Sequence, residues 1–438
     1  MSATAADQKT VAETSRPERR GRDGKPLVRS WTTPVLLTVF ALFSLGLFAV
    51  NAPAHDAEFR IATPGDLIEL AAVSVPAAPA LWVLSLVMLG IAALAWVRAA
   101  AGRRNPVWLN GLYVLAFVAA FLIWVVGSAD NNSVYLTGLI AGSFALAVPL
   151  IFGSMAGILS ERSGVINIAI EGQLLAGAFT AAMVGSATGS AWIGLAAAVL
   201  AGVAVSWLLA VFSIKYLVNQ VIVGVVLNVL VIGLTNFLFS TVLAPNSSEL
   251  NSPPHFPSIR IPFLAEIPII GRILFDQSIL GYGMYLIVGL LWFGLFRTRW
   301  GLRVRAVGEH PKAADTVGID VIRTRYVNVL LGGAVAGMGG AFFTLVSASS
   351  FSKEMTAGQG FIALAAVIFG RWNPIGAFFA ALLFGFATNM QYVFSILGTP
   401  VPSQFMAMLP YVVTVFAVAG LVGRSRGPAA GGTPYVKE

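Results

Sequence analysis

The sequence predicts an all-α, polytopic integral membrane protein with about 10–12 transmembrane helices, one or two of them broken or re-entrant. Three observations carry this prediction: 57% of the 438 residues are hydrophobic, 11% are charged, and the mean hydropathy is +0.83. A soluble domain has about 25% charged residues, so this chain cannot cover its apolar surface with water-facing groups. Repeated apolar runs of roughly 20 residues indicate spanning helices and not barrel strands.

The basic residues predict how these helices are oriented. Of the 27 lysines and arginines, all fall in segments on one side of the predicted topology except Arg60, Arg260, Arg272 and Lys353. Cytoplasmic loops carry an excess of lysine and arginine, so we expect both termini in the cytoplasm. We attribute the net charge of +8 to this topology. Membrane lipid is an expected partner. No nucleic-acid partner is expected, because the basic residues are scattered among the spans.

The apolar segments predict four regions along the chain. They are a disordered basic cytoplasmic tail over residues 1–30, an N-terminal extension with about three spans over 31–135, a core over 136–423, and a second cytoplasmic tail over 424–438. Ala52-Pro53-Ala54 mimics a signal-peptidase site after the first apolar run. The long polar lead and the long apolar run favour a retained span.

Glu171 is the one carboxylate deep inside an apolar run, and Asn167 lies four residues before it on the same helical face. An ionised group buried in a membrane is costly unless it is paired, so such residues usually face a cavity or a partner. Two interpretations stay open. Glu171 and Asn167 could line a solute path, or Glu171 could be structural, pairing with Arg162 or capping a helix break.

Further polar residues interrupt the later spans. Asn228 and Asn236 share one helix face, where they could bind a hydroxylated solute or a neighbouring helix. The apolar run 361–369 follows Gly358-Gln359-Gly360 and precedes Gly370-Arg371-Trp372-Asn373-Pro374, which predicts a half-helix flanked by breakers. Non-helical backbone at membrane depth is tolerated only inside protein or along a water-filled cavity, so this segment points to a translocation path. Gly333 and Gly337 form a GxxxG pair that predicts close helix packing.

Residues 301–328 form a basic polar interruption between two apolar runs, which we call the coupling segment. Pro311 suits the first position of a helix, and Glu309 just before it is favoured by the helix dipole. Gly318 suits the left-handed residue just past the end of that helix. A helix over residues 311–317 would be marginal alone in water, so we expect it to dock on a partner protein.

Several classes of chemistry are excluded by composition. The chain has no cysteine, and its three histidines lie in three separate loops, so thiolate catalysis and a histidine-rich metal site are not expected. No GxxxxGK[ST] sequence is present, so the chain should not hydrolyse ATP through a P-loop. No cofactor is expected, and any energy for transport must come from a partner or from an ion gradient.

Two stretches resemble a known family. Glu161–Gly172 is similar to the ERxGxxNxxxEG signature of inner-membrane permeases in ABC importers of the nucleoside and simple-sugar type, and 305–319 resembles their cytoplasmic coupling loop. The resemblance covers roughly residues 139–422, and residues 31–135 depart from the shorter family pattern. Within the family the chain is most similar to permeases for purine and other nucleosides.

This resemblance implies a non-enzymatic transport subunit with several partners. They are a separate ATPase, a second permease subunit that is identical or different, and a solute-binding lipoprotein on the outer face. The residues expected to couple to the ATPase are Arg305, Gly308, Glu309, Pro311, Ala313, Ala314 and Gly318. The residues expected along the solute path are Asn167, Glu171, Asn228, Asn236 and Gln359.

Three other functions are alternatives to nucleoside import. The same machinery could carry ribose or another simple sugar. An ion-driven secondary carrier should show acidic residues in several spans, and only Glu171 is present. An intramembrane enzyme would need a histidine, cysteine or paired-carboxylate constellation, which the sequence lacks.

Overall fold

The computed structural model describes residues 31–61, 71–103, 105–129, 133–267, 269–396, 405, 408 and 427–437. Within these residues nine helices are long and apolar enough to cross a membrane, and the shorter apolar helix Gln359–Phe369 accompanies them. The prediction of an all-α polytopic membrane protein is therefore confirmed. The predicted tail over residues 1–30 and nearly all of the last apolar run, 405–422, lie outside the described residues.

The chain divides into two compact units, and the first comprises residues 1–58 and 74–133. Its helices are α1 (Thr32–Phe43), which continues into the π-helical turn Ser44–Ala49, α2 (Ala77–Ala100) and α3 (Val107–Gly127). Three short strands lie along this part of the chain: β1 (Ala57–Arg60), β2 (Val73–Val75) and β3 (Ser133–Tyr135).

An aromatic cluster forms the interior of the first unit. Phe48 is buried, and its ring centroid lies 5.3 Å from that of Trp124 and 5.8 Å from that of Phe117. Nearby, the hydroxyl groups of Ser44 and Ser85 are hydrogen-bonded at 2.9 Å, which joins the end of α1 to α2. These two buried hydroxyl groups are thus paired with each other, as burial favours.

The second unit comprises residues 59–73 and 134–438 and holds most of the helices. They are α4 (Leu136–Arg162), α5 (Ile170–Thr188), α6 (Ala191–Ala210), α7 (Gln220–Leu238), α8 (Ser247–Leu250), α9 (Ile270–Phe275), α10 (Ile279–Arg297), α11 (Arg299–Glu309), α12 (Pro311–Thr316), α13 (Val321–Phe342), α14 (Gln359–Phe369) and α15 (Pro374–Ile396). Short π-helical turns extend three of them, at Val211–Lys215, Phe239–Leu243 and Phe343–Ser347. The antiparallel hairpin of β4 (Ser258–Arg260) and β5 (Asp276–Ser278) pairs Ser258 with Ser278.

Helix α13 packs at the centre of this unit through its glycines. A Cβ atom on Gly337 would overlap the carbonyl oxygen of Ala198 on α6, and one on Gly340 would overlap that of Leu174 on α5. Small residues let helix backbones approach this closely, and dispersion contacts then hold the helices together. The close packing predicted from the GxxxG pair is confirmed.

The coupling segment folds into two short helices, α11 and α12, between α10 and α13. The hydroxyl group of Thr298 accepts a hydrogen bond from the N–H of Gly301 at the start of α11, and Asp320 accepts one from Arg323 at the start of α13. Pro311 is the first residue of α12, and Gly318 after its end has φ +82°. The predicted short helix is confirmed, and it ends one residue earlier than expected.

Helix α14 is the predicted half-helix, bounded by glycines on both sides. Gly358 precedes it with φ +81°, a conformation that a side chain would strain. Gly370 follows it, and a Cβ atom there would overlap the backbone of Ala377 at the start of α15. The tight connection to α15 therefore depends on a glycine, and α14 is confirmed as a short apolar helix between two turns.

Candidate functional site

Glu171 lies in the first turn of α5 and is 4% exposed. Its Oε1 accepts hydrogen bonds from Thr356 Oγ1 at 2.6 Å and from the N–H of Gly358 at 2.9 Å, and its Oε2 accepts one from the N–H of Gly360 at 2.6 Å. The first N–H groups of a helix lack partners within it, and the helix dipole favours negative charge there. Glu171 thus caps α14 from a different helix, as the structural interpretation of this residue expected.

Asn167 belongs to a fully buried polar network at the turn between α4 and α5. Its Nδ2 donates to Gln173 Oε1 at 3.2 Å, and Gln173 Nε2 donates back to Asn167 Oδ1 at 3.2 Å. Ser160 on α4 and Ser206 on α6 complete the network, with distances of 3.3 Å to Asn167 Nδ2 and 2.8 Å to Gln173 Nε2. The network therefore fixes the turn to three helices.

Asn228 on α7 holds the backbone of the same region. Its Oδ1 accepts from the N–H of Gly172 at 2.8 Å, and its Nδ2 donates to the carbonyl oxygen of Ile168 at 2.9 Å. Both ends of this amide are therefore occupied by residues beside Asn167 and Glu171. The structure brings these three predicted path residues together at one buried junction, which we call the polar junction.

Asn236 and Gln359 differ from the other three because each keeps an unused acceptor. Asn236 Nδ2 donates to Glu354 Oε1 at 3.0 Å. The buried oxygens Asn236 Oδ1 and Gln359 Oε1 have no hydrogen-bond donor among the described residues. A buried acceptor of this kind is available to a ligand that carries N–H or O–H groups.

Sequence reasoning missed three residues at the polar junction, which are Gln173, Gln220 and Trp372. Gln173 directly follows the Glu171-Gly172 pair, and Gln220 Oε1 accepts from the N–H of Ile166 at 2.7 Å. The indole N–H of Trp372 donates to Glu161, and Arg162 Nε donates to the carbonyl oxygen of Trp372 at 3.0 Å. The sequence signal for these residues was weak. Each lies at the end of an apolar run, and no residue spacing identifies the group that it contacts.

The predicted coupling residues differ in exposure and form a buried, a half-buried and an exposed group. Gly308 and Ala314 are buried, whereas Arg305 and Pro311 are half-buried. The exposed residues are Glu309, Ala313 and Gly318. Val317, at the end of α12, is 75% exposed. Apolar groups exposed on a short polar segment of a membrane protein suit a protein partner.

A cavity lies at the other end of α4, away from Arg162. It has a volume of about 560 Å³ and is lined by residues of α4, the β4–β5 hairpin and the end of α13. Its polar wall includes Thr137, Arg260, Gln277 and the pair formed by Arg272 Nη1 and the hydroxyl group of Tyr135 at 3.1 Å. This size is within the range of small-molecule sites. None of the predicted path residues lines it.

Metal chemistry finds no support in the residues that the structure describes, since they contain no group of three or more His, Cys, Asp or Glu side chains placed to hold an ion. The arrangement instead offers a buried polar junction, a capped half-helix and a short surface helix within a bundle of apolar helices. These features define a multi-pass membrane transport subunit.

The chain belongs to the family described as "Branched-chain amino acid transport system / permease component", which matches residues 139–418. It is therefore a permease component, which is a transport subunit and not an enzyme. The match contains the polar junction, the coupling segment and the half-helix, and confirms the resemblance drawn from the two motifs.

Curated relatives of this family cover most of the chain. The guanosine ABC transporter permease protein NupQ of Bacillus subtilis is 40% identical over 314 residues, which is 69% of this chain and 97% of the relative. The nucleoside ABC transporter permease protein NupC of Lactococcus lactis is 39% identical over 310 residues, 68% of this chain and 96% of the relative. A putative glucose ABC transporter permease, TsgC13 of Haloferax volcanii, is 31% identical over 66% of this chain and 93% of its own length. No solved structure matches the chain.

Proposed function

We propose that this chain is the permease subunit of an ABC importer that moves nucleosides, purine nucleosides foremost, into the cytoplasm. A separate subunit hydrolyses the ATP. The observation that carries the proposal is the 40% identity to a guanosine permease over 97% of that protein's length. The family match over residues 139–418 contains both the polar junction and the coupling segment, so the resemblance includes both regions that we propose to take part in transport.

The solute path is proposed to run beside Asn167, Glu171, Asn228, Asn236 and Gln359, with two different roles among them. The polar atoms of Glu171 and Asn228 are engaged with backbone groups of the protein, so these residues shape the wall of the path. Asn236 and Gln359 keep unused buried acceptors, which suit the N–H and O–H groups of a nucleoside. We therefore propose that Asn236 and Gln359 contact the solute.

The ATPase subunit is proposed to bind the exposed side of α12. Ala313 and Val317 are exposed there, next to the exposed Glu309 and Gly318. A short helix laid into a groove of a partner is a common mode of recognition, and it supplies the packing that an isolated helix of this length lacks. The guanidinium of Arg305 in α11 lies 5.3 Å from the centroid of the Phe296 ring in α10, and this contact helps to hold α11 against α10.

The remaining partners and the topology follow from the same proposal. A solute-binding lipoprotein would dock on the outer face beside the cavity at the β4–β5 hairpin, and a second permease subunit would complete the pore. The C-terminus would be cytoplasmic, since the residues near it contact the coupling segment through Ala430 and Gly308. The N-terminus would lie on the same side, as the distribution of basic residues predicts. The region 31–135, which precedes the family match, would be an added unit of three spans.

Uptake of radiolabelled guanosine by cells with and without this gene tests the proposed function. Uptake should disappear in the deletion strain and return with the gene on a plasmid. It should also disappear when the ATPase subunit is inactivated. Uptake that persists without ATPase activity would overturn the proposal in favour of an ion-driven carrier.

A simple sugar is the second candidate solute, because the Haloferax volcanii relative with 31% identity is named as a putative glucose permease. Competition separates the two candidates. Excess unlabelled adenosine or inosine should block guanosine uptake, whereas excess glucose or ribose should leave it unchanged. Block by the free sugars alone would favour the sugar permease.

A further inference from the structure

Residues 427–437, which we call the C-terminal segment, lie against the body of the second unit and not free in solvent. The backbone N–H of Ala430 donates to the carbonyl oxygen of Gly308 at 2.9 Å, and that of Gly432 donates to the carbonyl oxygen of Gly164 at 3.3 Å. Gly308 lies in the last turn of α11, and Gly164 lies in the turn after α4. The segment therefore joins the coupling segment to the turn that carries Asn167.

A buried arginine adds a further hydrogen bond between the C-terminal segment and α13. Arg325, in the first turns of α13, is 2% exposed, and its Nη1 donates to the carbonyl oxygen of Thr433 at 3.1 Å. A buried charged group is costly unless it is hydrogen-bonded. The C-terminal segment therefore supplies a polar partner to this buried guanidinium.

The side chain of Tyr435 anchors the C-terminal segment to α12. Tyr435 is 8% exposed and packs in a small apolar cluster with Val307 of α11, Ala314 of α12 and Val321 of α13. Helix α12 has six residues, too few to be stable without packing partners. The ring of Tyr435 supplies part of that packing.

The C-terminal segment and the outer side of α12 divide the predicted coupling residues between them. Gly308 and Ala314 face the segment and are buried by it and by neighbouring helices, while Ala313 and Val317 stay exposed. A partner that approaches from the cytoplasm can touch the exposed side only. Gly308 and Ala314 must then act on coupling through the chain's own tail.

We propose that the C-terminal segment is a strap that positions α12 for the ATPase subunit, with Tyr435 as its anchoring residue. The proposal rests on the proposed function, because it requires an ATPase that presses on α12. When α12 moves, the strap moves with it and shifts the turn at Gly164 through the hydrogen bond of Gly432. Asn167 in that turn is hydrogen-bonded to Gln173 in α5. The shift therefore moves the start of α5, where Glu171 caps α14. Such contiguous contacts provide a physical route, and the experiment measures how much coupling they carry.

The test uses the purified complex of permease, ATPase and solute-binding protein in nanodiscs. The variants are a truncation after residue 426, Tyr435→Ala, Tyr435→Phe, which keeps the ring, and Val436→Ala. Val436 is the matched control because it adjoins the anchor and is 61% exposed. The measurements are the amount of permease in the membrane, its thermal stability, the basal rate of ATP hydrolysis, and the stimulation of that rate by solute-loaded binding protein.

The truncation and Tyr435→Ala should reduce the stimulation by about fivefold or more, the lower end of usual coupling between two sites. Membrane insertion and basal hydrolysis should not change. Val436→Ala should behave as the unaltered protein, and Tyr435→Phe should keep most of the stimulation because it keeps the ring that packs with Val307, Ala314 and Val321. A synthetic peptide of residues 427–438 should restore stimulation to the truncated complex. A merely structural role would instead lower stability and membrane content together with stimulation.

Two results would overturn the strap. One is stimulation at the unaltered level in the truncated complex, and the other is loss of stimulation that follows loss of stability and is not restored by the peptide. The proposed function fails in a different way. If the unaltered complex hydrolyses ATP but moves no nucleoside, the solute is wrong while the strap stands. If no ATPase co-purifies with the unaltered permease, the proposed function fails, and the strap with it.

Discussion

The carboxylate of Glu171 accepts a hydrogen bond from the backbone N–H of Gly360 at 2.6 Å, across 189 positions of sequence. A Cβ atom on Gly360 would overlap the backbone of Glu171, so the starts of α5 and α14 touch with no side chain between them. The polar junction and the half-helix therefore form one unit. Any movement of the half-helix during transport must either carry α5 with it or break this cap.

Replacement of Glu171 by Gln is expected to loosen the start of α14. A glutamine has one acceptor oxygen where the carboxylate has two, so one of the three donors loses its partner. An unsatisfied buried donor costs about 1–3 kcal/mol, which corresponds to roughly fivefold to 150-fold in local opening. Hydrogen–deuterium exchange at the amides of Gly358 and Gly360 should rise accordingly. Glu249→Gln, at an exposed residue of α8, is the control and should leave this exchange unchanged.

Replacement of Gly337 by Ala is expected to destabilise the second unit. The new methyl group would overlap the carbonyl oxygen of Ala198, and overpacking of this kind costs about 1–3 kcal/mol. The matched control is Gly233→Ala on α7, where no atom lies within 4 Å of the new Cβ and the higher helix propensity of alanine adds up to about 1 kcal/mol. Thermal unfolding in detergent should separate the two, and equal melting temperatures would contradict the packing of α13 on α6.

The features that sequence reasoning predicted correctly are those that depend on local chemistry. Pro311 and Gly318 bound α12 because proline lacks an N–H and glycine accepts a positive φ. Gly358 bounds α14 through its positive φ and Gly370 through its close approach to Ala377, and the apolar runs give the long helices directly. Each of these signals lies within a few residues of the feature that it predicts.

The features that were missed depend on pairs of residues far apart in the sequence. Thr356 reaches Glu171 across 185 positions, and nothing in either local pattern names the other. Both interpretations of Glu171 were open for that reason, and only the fold shows that the carboxylate caps α14. The contacts of the C-terminal segment were missed in the same way, since Tyr435 lies in a polar, aperiodic stretch that reads as a tail.

Replacement of Gln359 by Leu is expected to impair recognition of the solute without destabilising the protein. Its Oε1 has no donor among the described residues, so its removal costs the fold little. Loss of one hydrogen bond to a nucleoside should raise the KM for uptake by about tenfold, equivalent to about 1.4 kcal/mol. Guanosine uptake at varied concentration measures this effect, and an unchanged KM for every nucleoside tested would exclude Gln359 from the path.

Replacement of Asn228 by Ala should give the opposite pattern. It leaves the N–H of Gly172 and the carbonyl oxygen of Ile168 without their partners, and buried groups in that state cost about 1–3 kcal/mol each. The melting temperature and the amount in the membrane should therefore fall, and the uptake per folded molecule should keep its KM. A raised KM at unchanged stability would instead place Asn228 in contact with the solute.

Replacement of Gly308 by Ala is expected to uncouple ATP hydrolysis from transport. The new Cβ would overlap the carbonyl oxygen of Arg162, so α11 must move away from the end of α4, whereas its distance of 3.4 Å to Cβ of Pro428 is an ordinary contact. Uptake should fall by about tenfold or more, as for the loss of an interaction worth at least 1.4 kcal/mol, while membrane insertion is retained.

Glu309→Ala tests the same surface more gently, because it removes one exposed hydrogen bond to the N–H of Ala429, and the double variant of Gly308 and Glu309 should show the full loss of uptake. The matched control is Gly289→Ala on α10, where no atom lies within 4 Å of the added Cβ.

Val317→Asp places a charge on the exposed side of α12 and should release the ATPase subunit during purification, whereas Gly308→Ala should retain it. If Gly308→Ala transports at the unaltered rate, the end of α11 has no part in coupling, and the ATPase must act on the permease elsewhere.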